Sequence, residues 1–429
     1  MKTMRVLRLG VIGLVIALLA VMGSAVGAQN QTLPPLLITQ QGHLWLVEPD
    51  GGLRQLTVEP SMHFVDIAVN PANDQIAYVA TSPADANPTP TLWVVGLDGG
   101  APIRLAEGIT AGFGATFSDD GQILFPRDAA NNQGPDYFVE LYQIAPLAGA
   151  QETLVARYPI IVGCGGGSTI PADWRVWNES GFGSYSILQQ TPYGLVTSTA
   201  CAGGSTGLLD LASGQVTPLG DGLSRAVISA DETLMAAVKR GYDVAANQPT
   251  AALALVDLAT REVRELPTAK LPDQLAWGLP GTGDLFYSVI ETGAEMPLTD
   301  EQWVAFNDAI GIIEPQLRLN ERMISIRRYN LNTGEDIEVY SGAGYAIGRM
   351  AFVEDGGRLL FSTIPNLTEW VSAILDGTID PFSADWEVAE QKQLDLVPVS
   401  VHALDLATGA VDLVGVDYNQ MKPLIGARG

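Results

Sequence analysis

The chain has 429 residues, and 48 acidic against 23 basic side chains give it a formal charge of −25. Such a surface repels phosphate backbones, so nucleic acid is excluded as an expected partner. A charged fraction of only 17%, beside 47% hydrophobic residues, excludes a disordered acidic chain.

The first predicted element is a targeting segment over residues 1–28. Lys2, Arg5 and Arg8 form a basic start, Leu9 to Met22 an apolar run, and Val26-Gly27-Ala28 the small residues of a cleavage site. Cleavage is expected after Ala28. The apolar run is about 20 residues long, so an uncleaved N-terminal anchor is the alternative. No cysteine lies near it, which excludes a lipoprotein anchor, and no later stretch is apolar enough to insert in a membrane. The expected location is periplasmic, extracellular or cell-surface. Without the leader's three basic residues the formal charge becomes −28.

Residues 29–429 would by length alone suggest two or three domains. A repeat overrides that and predicts one domain. Seven short turns return along the chain: Glu48–Gly52, Gly96–Gly100, Ala145–Gly149, Asp210–Gly214, Asp257–Arg261, Asn330–Gly334 and Asp405–Gly409. Asp, Asn, Ser and Thr in them bond the nearby backbone, and the closing Gly accepts positive φ. Apolar strands such as Leu44–Val47, Leu92–Val95 and Ala252–Val256 precede them, suiting sheets covered on both faces. A second hairpin stands upstream of most copies, as in Phe64–Val79, Gly114–Phe125, Ala226–Val238, Leu275–Tyr287 and Met350–Phe361, with residues 183–200 a degenerate copy. Two hairpins make four antiparallel strands, one propeller blade.

The phrase Phe117-Ser-Asp-Asp-Gly121, together with the Leu92–Val95 strand and Asp98-Gly-Gly100, resembles the repeat of TolB and related WD40-like propellers. The resemblance covers residues 36–416 and implies an all-β propeller of four-stranded antiparallel blades. The propeller of prolyl-oligopeptidase-type enzymes belongs to the same group. The Gly-His and Trp-Asp marks of true WD40 repeats are missing. The separate α/β domain that precedes the propeller in TolB is also not expected, so TolB's envelope role is not carried over. Six full units are visible. Residues 36–57 add at least two strands, read as part of a seventh blade closed by Met421–Ile425, which would remove exposed edges. Six blades, with those strands covering an edge, is the alternative.

No catalytic or metal signature stands out. Gly203-Gly-Ser205-Thr-Gly207 has the G-x-S-x-G form, but it joins strand to strand, whereas the hydrolase serine sits on a strand-to-helix turn. His43, His63 and His402 lack metal-ligand spacing and read as packed or surface residues, although His43 and His402 would approach if the chain ends share a blade. Acidic turns such as Asp119-Asp120-Gly121 lack the alternating carboxylates of a calcium loop. No cofactor is expected. The near-copies Cys164-Gly-Gly-Gly-Ser-Thr169 and Cys201-Ala-Gly-Gly-Ser-Thr206 predict a Cys164–Cys201 disulfide in an exported chain.

Long insertions interrupt the repeat at residues 126–139, 156–181, 291–322 and 364–398. By the strand order they are B–C or D–A connections and belong on one face. The last two carry short helices, one starting at the Thr299–Gln302 capping box and one at Asn366–Glu369. Trp174, Trp177, Trp303, Trp370 and Trp386 fall in the insertions. Such rings either stack on a sugar or peptide, or fasten the insertions down. Trp174, Arg175 and Trp177 are the foremost ligand candidates, with Trp303, Trp370 and Trp386 beside them. The function expected is a non-catalytic binding or scaffolding module for a protein, peptide or glycan. A propeller-based polysaccharide lyase or glycosidase, and a structural envelope or complex subunit, are the alternatives.

Overall fold

The repeated turns form as their residue types dictate. Asp210 Oδ1 accepts from Ala212 N at 2.8 Å and Ser213 N at 3.2 Å, while Gly214 takes φ 70°. Asp405 does the same for Ala407 and Thr408, and Asn330 for Asn332 and Thr333. Gly334 and Gly409 close those two turns at φ 72° and 73°. Each carboxylate or amide replaces the next backbone partner that a strand would have offered, so the chain reverses there.

The computed structural model describes residues 35–423 except 59–61, 71–73, 83–88, 110–113, 131–136, 161–186, 199–204, 244, 247, 313–316, 354–356, 381–397 and 417–419. Seven four-stranded antiparallel sheets form the blades of a propeller ring. Blade 1 joins β1 (Leu36–Gln40), β2 (His43–Val47) and β3 (Leu53–Gln55) to the C-terminal β28 (Gln420–Pro423). Blade 2 is β4 (His63–Val69), β5 (Gln75–Thr81), β6 (Thr91–Gly96) and β7 (Ile103–Glu107). Blade 3 is β8 (Thr116–Phe117), β9 (Ile123–Asp128), β10 (Tyr137–Ile144) and β11 (Thr153–Ile160). Blade 4 is β12 (Ile187–Thr191), β13 (Gly194–Ser198), β14 (Ser205–Asp210) and β15 (Gln215–Asp221). Blade 5 is β16 (Leu223–Ile228), β17 (Leu234–Asp243), β18 (Gln248–Asp257) and β19 (Val263–Leu266). Blade 6 is β20 (Leu275–Trp277), β21 (Asp284–Glu295), β22 (Asn320–Asn330) and β23 (Asp336–Ala343). Blade 7 is β24 (Ala346–Val353), β25 (Arg358–Ile364), β26 (Ser400–Asp405) and β27 (Val411–Val416).

In every blade the strands run A to D from the axis outward: the A strands neighbour one another in chain order, from β4 beside β8 to β24 beside β28. The seventh blade is closed as the sequence predicts. β28 pairs with β1 in the register Leu36↔Pro423 to Thr39↔Gln420, so chain ends meet in one sheet and β1 has no open edge. The expected minimum of two N-terminal strands is met by three.

The core lies between blades. Leu37, Leu44 and Leu46 of blade 1 pack on Ile76 and Tyr78 of blade 2, and Val79, Leu92 and Val94 pack on Ile123 and Phe125 of blade 3. The same contact recurs between blades 5 and 6, through Leu253, Leu255, Leu285 and Tyr287. Strand B is therefore buried on both faces, as β5 is along Ile76–Ala80, which explains its unbroken apolar sequence. Strand D is half exposed, as at Val263–Leu266.

Candidate functional site at the insertion face

Antiparallel order fixes where each connection goes. A–B and C–D turns share one end of the ring, and B–C and D–A connections share the other. Residues between β9 and β10, β21 and β22, and β25 and β26 are B–C connections, and those between β11 and β12 form a D–A connection. All four long insertions thus leave and re-enter the propeller at one end. The B–C link of blade 1, by contrast, is the tight pair Gln41-Gly42.

Two insertions merge into one cap. Helix α1 (Asp300–Ala309) begins at Thr299, whose Oγ1 accepts from Gln302 N while Thr299 N donates to Gln302 Oε1 at 2.9 Å, the capping box the sequence predicts. Helix α2 (Thr368–Leu375) packs against it. Phe306 stands between Trp303 and Trp370, edge-on to both at 5.9 and 5.7 Å. Met296, Leu319, Tyr345, Val371 and Ile374 complete this second core, which is separate from the wedges between blades. Asn307 is buried and fully bonded: Nδ2 donates to Trp303 O and Leu317 O, and Oδ1 accepts from Leu317 N. That amide clamps the returning loop onto the helix.

The second helix differs from expectation at its start. Leu367 is its N-cap and makes no side-chain cap bond. The Asn366 amide is used elsewhere: Oδ1 accepts from Arg322 N at 3.1 Å, tying blade 7's insertion to strand C of blade 6. Arg322 in turn lies over the Tyr345 ring at 3.9 Å.

The structure thus brings two of the proposed contact residues together, but as fasteners. Trp303 is 0% exposed, and Trp370 is half-buried against the same cluster. The Nε1 atoms of both are buried without a hydrogen-bond partner among the described residues. Trp174, Arg175, Trp177 and Trp386, and the cysteines 164 and 201, lie outside the described residues. Ser205 opens β14, strand C of blade 4, with no helix after it.

Polar groups within blade 6 tie its strands together. In blade 6, Tyr287 OH donates to Asp336 Oδ2 at 2.7 Å, and Arg327 Nε reaches Asp336 Oδ1 at 2.9 Å. Asp336 Oδ2 also accepts from Ala269 N, so three strands and the preceding D–A connection are tied together. Burial, then the Asp336 partner, raises the Tyr287 phenol well above its ordinary value. His402 stacks on Phe361 at 5.2 Å with Nε2 3.0 Å from Thr363 Oγ1, and burial pushes its imidazolium below the usual range. His43 and His402 sit in different blades. Among the described residues no cluster of His, Cys, Asp or Glu is arranged to hold a metal.

No family model and no curated protein matches the chain. Solved structures do. A protein from Lactobacillus plantarum is 9% identical over 90% of this chain and 96% of its own, with a TM-score of 0.46. TolB from Acinetobacter baumannii is 17% identical over 72% of this chain, with a TM-score of 0.39, and this chain spans 64% of that one. A prolyl endopeptidase is 10% identical over 93% of this chain and 52% of its own, with a TM-score of 0.49. The likeness is one of fold: a β-propeller, TolB among the similar structures.

Proposed function

We propose that the chain is an extracytoplasmic, non-catalytic binding propeller that holds a protein, peptide or glycan on its insertion-bearing face. Trp174, Arg175 and Trp177 are the main proposed contacts, with Trp386 beside them. The observation that supports this reading is the asymmetry of the two ends. One end carries short bonded turns with little room for variation, while long insertions issue from the other. Fold alone assigns no activity, so the reading rests on that asymmetry and on residue types. Tryptophan supplies a large rigid face at low entropy cost, suited to a sugar ring or a peptide anchor. Trp303 and Trp370 serve the same face indirectly, by holding the cap rigid. The basic, apolar and small-residue sections of the leader support export.

Photo-crosslinking in the producing cells tests the placement. A photoreactive residue at position 177 should give discrete adducts, and one at position 213, in a C–D turn, should give none. Equal adducts from both positions, or adducts from 213 alone, would overturn it. N-terminal sequencing of the exported protein should begin at Gln29, and an intact Met1 start would refute the cleaved leader.

A further inference from the structure

Five of the seven repeated turns place a leucine at their second position, where it packs into the core against the preceding blade: Leu97, Leu211, Leu258, Leu331 and Leu406. The C–D turn of blade 3 departs from this frame. Its sequence is Ala145-Pro146-Leu147-Ala148-Gly149, so proline takes the packing position and the leucine moves one place outward, where it is 61% exposed. An exposed leucine forgoes the burial that its siblings gain. Ala145 also stands where Asp210, Asp257, Asn330 and Asp405 begin their turns. Backbone bonds hold this one, from Leu147 N to Ala145 O at 2.8 Å and from Ala150 N to Leu147 O at 3.2 Å.

Beside that turn lies an open depression of about 560 Å³, within the size range of small-molecule sites. Strand pairing places its floor. Leu124 of strand B belongs to the core between blades 3 and 4, and Gln143 of strand C pairs with Leu124 on one side and with Thr153 of strand D on the other. Directly paired residues share a sheet face, and alternation puts Gln122 on that face too. The apolar core therefore stops at Leu124, and glutamines follow it towards the turn. The depression is lined by Gln122, Gln143, Gln151 and Thr153, with the aliphatic Ala145 and Leu147 at the turn. The side-chain amides of the three glutamines make no hydrogen bond among the described residues. No charged residue lines the depression. The Arg127–Glu152 ion pair belongs to the opposite face, where Arg127 lies over Phe125 and Tyr142 in the core shared with blade 2.

We propose that this end of blade 3 binds a neutral saccharide. A glutamine amide carries acceptor and donor atoms but no charge, so it can accept from one hydroxyl of a sugar ring and donate to the next. Three such amides and the Thr153 hydroxyl, with no counter-charge among them, match a ligand rich in hydroxyls and free of charge. Leu147 and Ala145 offer an aliphatic surface to the C–H face of the ring. A carboxylate or phosphate would lose hydration here without gaining a cation. The site lies at the end of the ring opposite the insertions and rests on none of the contacts proposed there.

Calorimetric titration of the full chain with maltose, cellobiose and N,N′-diacetylchitobiose tests this, with glucuronate as the charged control. At least one neutral disaccharide should bind saturably, and glucuronate should not. Gln143→Leu and Gln122→Leu should each weaken that binding about three- to tenfold, the usual effect of losing one neutral hydrogen bond. Leu147→Ser, at an exposed position whose change leaves the core intact, should weaken it as well. Lys239→Gln, which removes an exposed ion pair to Glu265 in blade 5, should leave it unchanged. A six-ring oligomer of the disaccharide that binds identifies the source: tighter binding marks a glycan chain, equal binding a free sugar. Absence of saturable binding by all three disaccharides would overturn the proposal. So would glucuronate binding as tightly, or unchanged affinity in the two glutamine variants and Leu147→Ser.

Discussion

The Asp66 carboxylate occupies the space that a Cβ on Gly114 would need: Oδ2 lies 1.8 Å and Cγ 2.6 Å from that position. Asp66 lies on the inner strand of blade 2 and Gly114 just before that of blade 3, so a methyl group here would meet the side chain of the neighbouring blade. Gly114→Ala should destabilise by about 1–3 kcal/mol, the usual range for overpacking. Asp66→Ala combined with Gly114→Ala should recover part of the loss, a coupling readable in a double-mutant cycle by urea unfolding. Additive effects of the two substitutions would show that the contact is relieved by simple side-chain rotation.

Arg261 is the exception among the repeated turns. It sits at φ 65° where Gly214, Gly334 and Gly409 stand in equivalent turns. The Asp257 carboxylate accepts from Thr260 N at 2.7 Å, so the turn is held by the same chemistry as its siblings, and its carboxyl is kept below the ordinary range by that backbone bond. Arg261→Gly should therefore stabilise by about 0.5–1 kcal/mol, relief of left-handed strain being partly offset by the greater entropy of an unfolded glycine. The measurement is the midpoint of chemical denaturation. A drop in the midpoint would show that the arginine side chain contributes more than its backbone strain costs.

Those turns are also why so much of the fold was legible. Asp or Asn followed by Ser or Thr and Gly, as at Asp210–Gly214, Asn330–Gly334 and Asp405–Gly409, is a local instruction complete within five residues, and the turns in the same frame marked the repeat of which six full units were visible. The capping box at Thr299 is equally local. What escaped were relationships fixed by register. Asn366 looked like a helix cap because its real partner, the Arg322 backbone, is 44 residues away. The inner strand was faintest in blade 3, where β8 is only two residues long. For Trp303, residue type could not separate a ligand platform from a fastener, since its helical spacing with Phe306 and Ile310 fits both and burial alone distinguishes them.

His402 gives the molecule one acid-sensitive point. Its folded pKa lies below the ordinary 6.5 because the ring is buried beside Phe361. The unfolded chain then takes up a proton that the folded chain resists. Stability from this group is present above about pH 6.5 and is lost as pH falls below it. His402→Gln should flatten that part of the stability curve while keeping a hydrogen bond to Thr363 within reach. Thermal midpoints from pH 7.5 down to 5.0 read the effect. Parallel curves for the variant and wild type would assign the acid sensitivity to carboxylates instead.

Closure of blade 1 by β28 should dominate the stability of the ring. Leu36, Leu37 and Ile38 of β1 are 2%, 0% and 0% exposed, and β28 covers their inner edge through the pairs Leu36↔Pro423 to Thr39↔Gln420. A chain ending at residue 419 would leave those backbone groups unpaired and those side chains partly wet. Exposing even one such side chain costs about 1.5–3 kcal/mol, and an open edge invites pairing with another copy. The truncated protein should lose several degrees in thermal midpoint and form dimers or larger species in light scattering. A synthetic peptide of residues 418–427 should restore both by adding the missing strand. An unchanged midpoint for the chain ending at 419 would mean that the other six blades hold the ring without closure.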